Sequence, residues 1–361
     1  MTYDPKVPYN DLPPLPPSVD VESKDVLKKA ISVGSALAEL KGLGHVIPNQ
    51  AMLVNSLVLK EAMASSEIEN IVTTNDALFR AMATTTSQTD PATKEVMRYR
   101  QAVWDGYNII RKRPKLDADL FIKLVQTIKE EKLGIRTEPG TIIGNRKTRE
   151  IVYSPPEGEA VIRKKLKELT DFIHGEDELA PLIKLALIHY QFEAIHPFED
   201  GNGRTGRIIN TLFLVTQGLL ELPVLYLSKY IIDHKGEYYR RLRDVTEKSD
   251  WIGWVLFMLD AVEETSKLTR RQILDIRTLL LDTIETARKK LPPRVYSKEL
   301  VELIFRQPYT KGQFLVDAGI AERKTAADYL KALEDAGILS LHKAGRENLY
   351  LNTKLYDLLA K

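Results

Sequence analysis

At 361 residues, 43% hydrophobic and 28% charged, the chain has the composition of a folded globular protein with room for two or three domains, which excludes a disordered, fibrous or peptide-sized module. Lys+Arg 52 against Asp+Glu 50 leaves a net charge of +2, so no chain-wide field grips nucleic acid or an anionic membrane, although a local patch stays open. The absence of cysteine rules out disulfides, thiol catalysis and Cys-ligated zinc, and makes a reducing cytoplasm the expected location. The opening Met1 to Pro5 has no basic-then-apolar leader, and no stretch reaches the roughly 18 uninterrupted apolar residues of a membrane span; no membrane contact is expected.

In chain order, residues 1–20 are crowded with proline and predict an extended arm. Pro13 and Pro16 form a PxxP, but a tether lying on the domain surface is the favoured reading over an SH3-type ligand. Val26, Leu27, Ala30, Ile31, Leu37 and Leu40 recur at helical spacing from Ser23 until Gly42 and Gly44 stop the pattern. Pro48-Asn49 opens a second helix through Leu53, Leu57, Val58 and Met63 that ends in Ser65-Ser66-Glu67-Ile68-Glu69-Asn70. Asp90-Pro91 reads as an N-cap with proline at the first helical position, launching a stripe of Val96, Tyr99, Val103, Tyr107 and Ile110. A further helix covers 117–131.

Residues 136–158 break the rhythm. Thr141, Ile142, Ile143 and Ile151, Val152, Tyr153 are β-formers around a Gly144-Asn145-Arg146-Lys147 turn, which predicts a hairpin between helices. After a helix over 161–173, residues 179–195 leave almost no polar face, as a buried central helix does. His196-Pro-Phe-Glu-Asp-Gly-Asn-Gly-Arg-Thr-Gly-Arg207 follows, then a second apolar helix over 208–220, and more helices to Leu291. Beyond Pro292-Pro293, three short helices over 296–306, 311–318 and 324–336 and two strands within 338–351, joined at residues 344–347, have the order of a winged helix-turn-helix. From Leu291 onward there are 11 Lys+Arg and 9 Asp+Glu, a weak surplus for DNA binding; Arg323, Lys324, Lys343 and Arg346 are its nucleic-acid candidates, and a protein-contact or dimerising role competes evenly.

Residues 196–207 are the one dense chemical cluster. Gly201, Gly203 and Gly206 satisfy GxGxxG, but a dinucleotide fingerprint needs a preceding strand, and Arg207-Ile208 replaces the Lys-Ser/Thr of a Walker A loop. His189, Glu193 and His196 have helical metal-ligand offsets, yet Pro197 pushes His196 out of the α region and breaks the shared face, leaving His189 as a packing residue. Phosphate chemistry suits the cluster best. A glycine-rich turn at a helix N-terminus offers backbone N–H groups to an anion, Asn202 can add a donor, Arg204 and Arg207 supply guanidiniums, Asp200 is a hard oxygen ligand for Mg²⁺, and His196 is placed to take a proton from an attacking hydroxyl.

This twelve-residue stretch resembles the signature HPFx[DE]GNGRxxR of Fic-domain proteins, with every defined position filled. The resemblance implies a mainly α fold with a Fic-type helical core, a small β-hairpin flap and a C-terminal winged helix, divided as 1–89, 90–290 and 291–361. It implies transfer of AMP from ATP to a Ser, Thr or Tyr hydroxyl of a target protein, the chain itself among the candidates, with pyrophosphate leaving. His196 would be the general base, Asp200 the Mg²⁺ ligand, and Gly201, Asn202, Gly203, Arg204, Thr205, Gly206 and Arg207 the nucleotide site, with Ile142, Ile151 and Val152 on a flap that docks the target by strand addition. Ser65, Glu69 and Asn70 fit the family's inhibitory pattern [ST]xxxE[GN], in which the glutamate pairs with the second arginine, here Arg207. A carboxylate at a helix C-terminus opposes the dipole, which itself asks for a reason. Tyr238 and Tyr239, and more weakly Thr246, are candidates for the adenine pocket, with core packing the commoner fate of such rings. The competing functions are a DNA-binding regulator that senses nucleotide, a de-AMPylase and a phosphotransferase; a homodimer would suit inhibition of this kind.

Overall fold

The computed structural model of the chain describes residues 3–43, 50–84, 89–145, 150–344 and 347–360. The turn and helix-start positions read from sequence at Gly44, Pro48-Asn49, Arg146-Lys147 and Gly345-Arg346 lie outside these residues. The proline-rich arm is held along the surface by its own backbone: Tyr9 N–H donates to Ser154 O at 3.0 Å, Ser154 Oγ to Pro5 O at 2.7 Å, Lys165 Nζ to Leu12 O at 2.6 Å and Gln191 Nε2 to Pro13 O at 2.8 Å. This is the tether expected from the sequence.

Then come α1 (Lys24–Leu43), which runs on through Gly42, α2 (Gln50–Ile68) and a short α3 (Asn75–Ala83) that the sequence pattern had not shown. Next, α4 (Pro91–Lys112) and α5 (Ala118–Lys129) start where local chemistry dictates. Asp90 accepts from Thr93 N–H ahead of Pro91, and Asp117 accepts from Leu120 N–H, so each satisfies an orphan donor of its first turn. The expected hairpin is β1 (Ile143–Asn145) and β2 (Glu150–Tyr153), antiparallel, with Ile143 opposite Tyr153 and Asn145 opposite Glu150.

After α6 (Glu159–His174), the helices α7 (Pro181–Ile195) and α8 (Asn202–Thr216) pack against each other at the centre. Nearly every residue of α7 is buried, including Lys184, whose Nζ is held by Asp177 at 2.5 Å. The sequence reading placed the start of the second apolar helix at 208; it starts six residues earlier, because Gly203 and Gly206 lie inside it rather than breaking it. Around this pair lie α9 (Leu227–Asp233), α10 (Lys235–Lys248) and α11 (Trp251–Lys290). The last is one unbroken helix of 40 residues that packs on α1, α7, α9 and α10.

Beyond Pro292-Pro293 the chain forms α12 (Lys298–Leu303), β3 (Tyr309–Thr310), α13 (Gly312–Asp317), α14 (Arg323–Asp335), β4 (Ser340–Ala344), β5 (Glu347–Leu351) and α15 (Thr353–Ala360). The strands lie in the order β3-β5-β4, so the three-helix, two-strand winged order expected from sequence gains a short strand and a final helix. This module leans on α3: Tyr309 donates its hydroxyl to Asp76 at 2.6 Å and the Phe79 and Tyr356 rings meet edge-on at 5.5 Å. Among the described residues no helix is long and apolar enough to cross a membrane.

Candidate nucleotide site

The site is built where α7 ends and α8 begins. Pro197 cannot extend α7 and bars its predecessor from the α region, and His196 resolves the conflict in the left-handed conformation, φ 48° and ψ 60°. Phe198 then buries its ring completely. The Asn202 side chain closes the turn over it, accepting Phe198 N–H at 2.9 Å and donating to Phe198 O at 2.7 Å. The expected role of this side chain as an anion donor is therefore replaced by a structural one. Gly201, at φ +83°, takes a conformation in which a Cβ is strained. The first bond of α8 is Thr205 N–H to Gly201 O at 2.9 Å, and the amides ahead of it are the orphan donors of a helix N-terminus, the natural seat for an anion. The Thr205 N–H is spent on that bond, and its buried Oγ1 has no hydrogen-bond partner among the described residues.

Two buried guanidiniums flank that N-terminus. Arg204 is paired with Glu95 and lies 3.6 Å from Asp200; Lys129 bridges the same two acids, at 2.6 Å from Asp200 and 3.4 Å from Glu95. Burial works to raise the Asp200 carboxyl, but the Lys129 ammonium, Arg204 and the Gly201 N–H together hold it below the usual carboxylate range. Its side chain remains 60% exposed. An ionised, open oxygen donor beside an anion seat suits Mg²⁺.

Arg207 is closed off by the end of α2. Its Nε donates to Ser65 Oγ at 2.8 Å, and its Nη2 to Ser65 O at 2.9 Å and Glu69 Oε1 at 2.8 Å. Burial pushes the Glu69 carboxyl up, but Arg207, followed by Arg204, overcomes it and holds it below its ordinary value. A Cβ on Gly203 would collide with Glu69 Oε1 and lie 2.9 Å from Arg207 Nη1; glycine there is what lets the two charges meet. Asn70 turns the chain at φ 64° and its N–H bonds Glu67 O at 2.9 Å. That left-handed cap explains why the position calls for Gly or Asn.

On the α7 side, burial, followed by the nearby Arg136 charge, lowers the His196 imidazole to about 4, which leaves it neutral at pH 7. Its Nδ1 has no hydrogen-bond partner among the described residues. Glu193 sits one turn earlier, with Oε1 2.6 Å from where a Cβ on Gly206 would stand. Burial raises its carboxyl to about 7 against the pull of Arg207. His189 is a packing residue, bonded to the Tyr238 hydroxyl at 2.9 Å and to Asn210 at 3.0 Å. No group of three His, Cys, Asp or Glu among the described residues is placed to hold a metal.

The adenine candidates separate. Tyr238 is 2% exposed, its hydroxyl spent on His189, so it offers no face to a ligand; Thr246 is tied to the Tyr190 hydroxyl at 2.8 Å. Tyr239 is 45% exposed, and burial of its hydroxyl followed by the Glu69 charge raises it to about 12. On the hairpin, Ile151 and Val152 are half-buried in β2, and Ile142 lies one residue ahead of β1, 55% exposed. Sequence reasoning missed Glu95, Lys129 and Arg136.

A helical core that gathers His196, Asp200, Arg204 and Arg207 where α8 begins makes a site suited to an anion. Three family models match in chain order: the Fic/DOC family N-terminal region over residues 27–108, the Fic/DOC family over 115–214, and the C-terminal domain of SoFic-like protein adenylyltransferases over 279–355. The chain belongs to the Fic/DOC family. A probable protein adenylyltransferase of Aquifex aeolicus is 28% identical over 184 residues, 48% of this chain and 53% of that protein. The protein adenylyltransferase Fic of Drosophila willistoni is 28% identical over 193 residues, 49% of this chain and 37% of that protein. The chain thus matches about half or less of these relatives' length. Among solved structures, a Fic family protein from Desulfovibrio desulfuricans shares the fold with a TM-score of 0.56 at 19% identity, covering 93% of this chain and 98% of that one. Fic-1 from C. elegans does so with a TM-score of 0.52 at 18% identity, covering 68% and 72%.

Proposed function

We propose that the chain is a self-inhibited protein adenylyltransferase. A target hydroxyl attacks the α-phosphate of ATP, His196 takes its proton, and pyrophosphate leaves. A neutral imidazole, one that can still accept a proton at pH 7, suits a base. The α8 amides stabilise the charge developing on phosphate oxygens, because they are fixed in place before reaction, and Arg204 and Arg207 hold the outer phosphates. Mg²⁺ bound at Asp200 supplies positive charge to the phosphate chain. Tyr239 supplies a wall for adenine, and the β1–β2 flap docks the target segment.

The observation that carries the self-inhibition is the Glu69 contact to Arg207 at 2.8 Å across Gly203: the carboxylate occupies the guanidinium that an outer phosphate needs. The relatives named protein adenylyltransferase support the reaction class. The test is label transfer from ATP into a lysate with the full chain. Label should pass from α-labelled ATP, disappear in His196→Ala and rise in Glu69→Gly. Label from γ-labelled ATP alone would instead mean phosphoryl transfer, and loss of label from a pre-modified target would mean AMP removal.

A further inference from the structure

We propose that Arg136 is a positioning residue that ties both stems of the flap to the backbone of His196, so that a target strand docked on the flap is held in register with the base. This rests on the reading of His196 as the base. Arg136 precedes β1 and is 2% exposed. Its Nε donates to His196 O at 2.8 Å, its backbone N–H to Pro197 O at 3.0 Å, and its Nη2 to Pro156 O, past the end of β2, and Ile195 O at 3.5 Å. Tyr153, the last residue of β2, adds a hydroxyl bond to Ala194 O at 2.9 Å. The stem before the flap, the stem after it and the final turn of α7 therefore converge on one planar fork.

The need for such a fork lies in His196 itself. Its left-handed backbone is unfavourable for a residue with a Cβ and persists only where neighbours over-determine it. Arg136 engages the carbonyls on both sides of the α7 terminus at once, which a single ammonium cannot do. Its charge has a second effect. The groups acting on the imidazole are Arg136, which disfavours the imidazolium, and the Glu193 backbone, Glu69 and Asp200, which favour it; the guanidinium assists burial in keeping the ring neutral.

The experiment uses the full chain in a Glu69→Gly background, with α-labelled ATP and a lysate as the acceptor pool, and compares Arg136→Gln, Arg136→Lys and His196→Ala. Rates are read at varied ATP, the thermal midpoint is read for each variant, and the His196 ring is titrated by NMR. We expect Arg136→Gln to lower the maximal rate by roughly 10²-fold, the order of effect of about 1 Å of misplacement, with KM for ATP nearly unchanged and the imidazole titration moved upward from about 4. Arg136→Lys should keep the titration in place and restore only part of the rate. Either folded variant matching the parent in maximal rate, or a loss confined to KM for ATP, overturns the proposal. If Arg136→Gln does not fold, Arg136→Lys decides. Transfer surviving His196→Ala would instead overturn the reading of the base, which separates the two failures.

Discussion

Replacing Glu69 by glycine should accelerate AMP transfer by an amount the contact geometry sets. Arg207 is 1% exposed and Glu69 34% exposed at the side chain, with 2.8 Å between them. A hydrogen bond between charged groups contributes about 1.5–3 kcal/mol. Partial exposure of the carboxylate pulls the figure down through solvent screening, so about 2 kcal/mol is the working value, or roughly 30-fold in the population with Arg207 free. Initial rates with α-labelled ATP below saturation should rise by about that factor in Glu69→Gly. Ser65→Ala removes the uncharged Oγ acceptor of Nε and leaves Glu69 and the Ser65 carbonyl on Nη2, so its gain should be smaller than that of Glu69→Gly. The graded order is the discriminating result. A folded Glu69→Gly protein no faster than the parent, or a Ser65→Ala gain exceeding that of Glu69→Gly, would refute the reasoning.

Asn202→Ala, which leaves both Phe198 backbone groups without their side-chain partner, should cost about 1–3 kcal/mol of stability by urea unfolding and lower transfer although its side chain is spent inside the turn. The transfer rate should be flat from pH 7 to about 5 and fall as His196 protonates near 4, because only the neutral ring accepts a proton; a fall centred near pH 6.5 would deny the burial effect. Burial raises the folded Glu193 carboxyl to about 7, from an ordinary 4.5, so the folded state binds more protons and stability declines as pH rises from about 4.5 to 7. Glu193→Gln should remove that decline, and be more stable than the parent at pH 8 by about 1–3 kcal/mol; equal stability of the two proteins at pH 8 would contradict it.

What could be read from sequence was local or contiguous. The Asp90-Pro91 start is complete within four residues, so its cap is legible without tertiary knowledge. The 196–207 cluster is similarly self-contained, and its glycines announce a close approach. They do not say to what. Gly203 and Gly206 stand inside α8 because Glu69 and Glu193 crowd them, a reason that exists only once α2 and α7 are packed, which is why the helix start was misplaced. Glu95 and Arg136 reach the site from 109 and 60 residues away, as ordinary charges within a helix and before a hairpin. Tyr238 and Tyr239 differ by one helical step of about 100°, which puts one ring against His189 and leaves the other open; no local pattern distinguishes them.

Under the proposed function, the electrostatics of the site make inhibition and catalysis two uses of one requirement. Arg207 is buried, and a buried guanidinium needs an anion beside it, since breaking such a pair is strongly unfavourable. Glu193 is near but held protonated up to about pH 7 by burial, so Glu69 is the carboxylate that meets the need while no nucleotide is present. In the proposed mechanism an outer phosphate of ATP meets it too, and the two compete for the same nitrogens. ATP seated productively must displace Glu69, so its apparent affinity is reduced by the fraction of chains in which Arg207 is free. Any event that moves the end of α2 thereby acts on the reaction. The segment after Asn70 leads directly into α3, and α3 is what the winged module touches through Asp76–Tyr309 and Phe79–Tyr356.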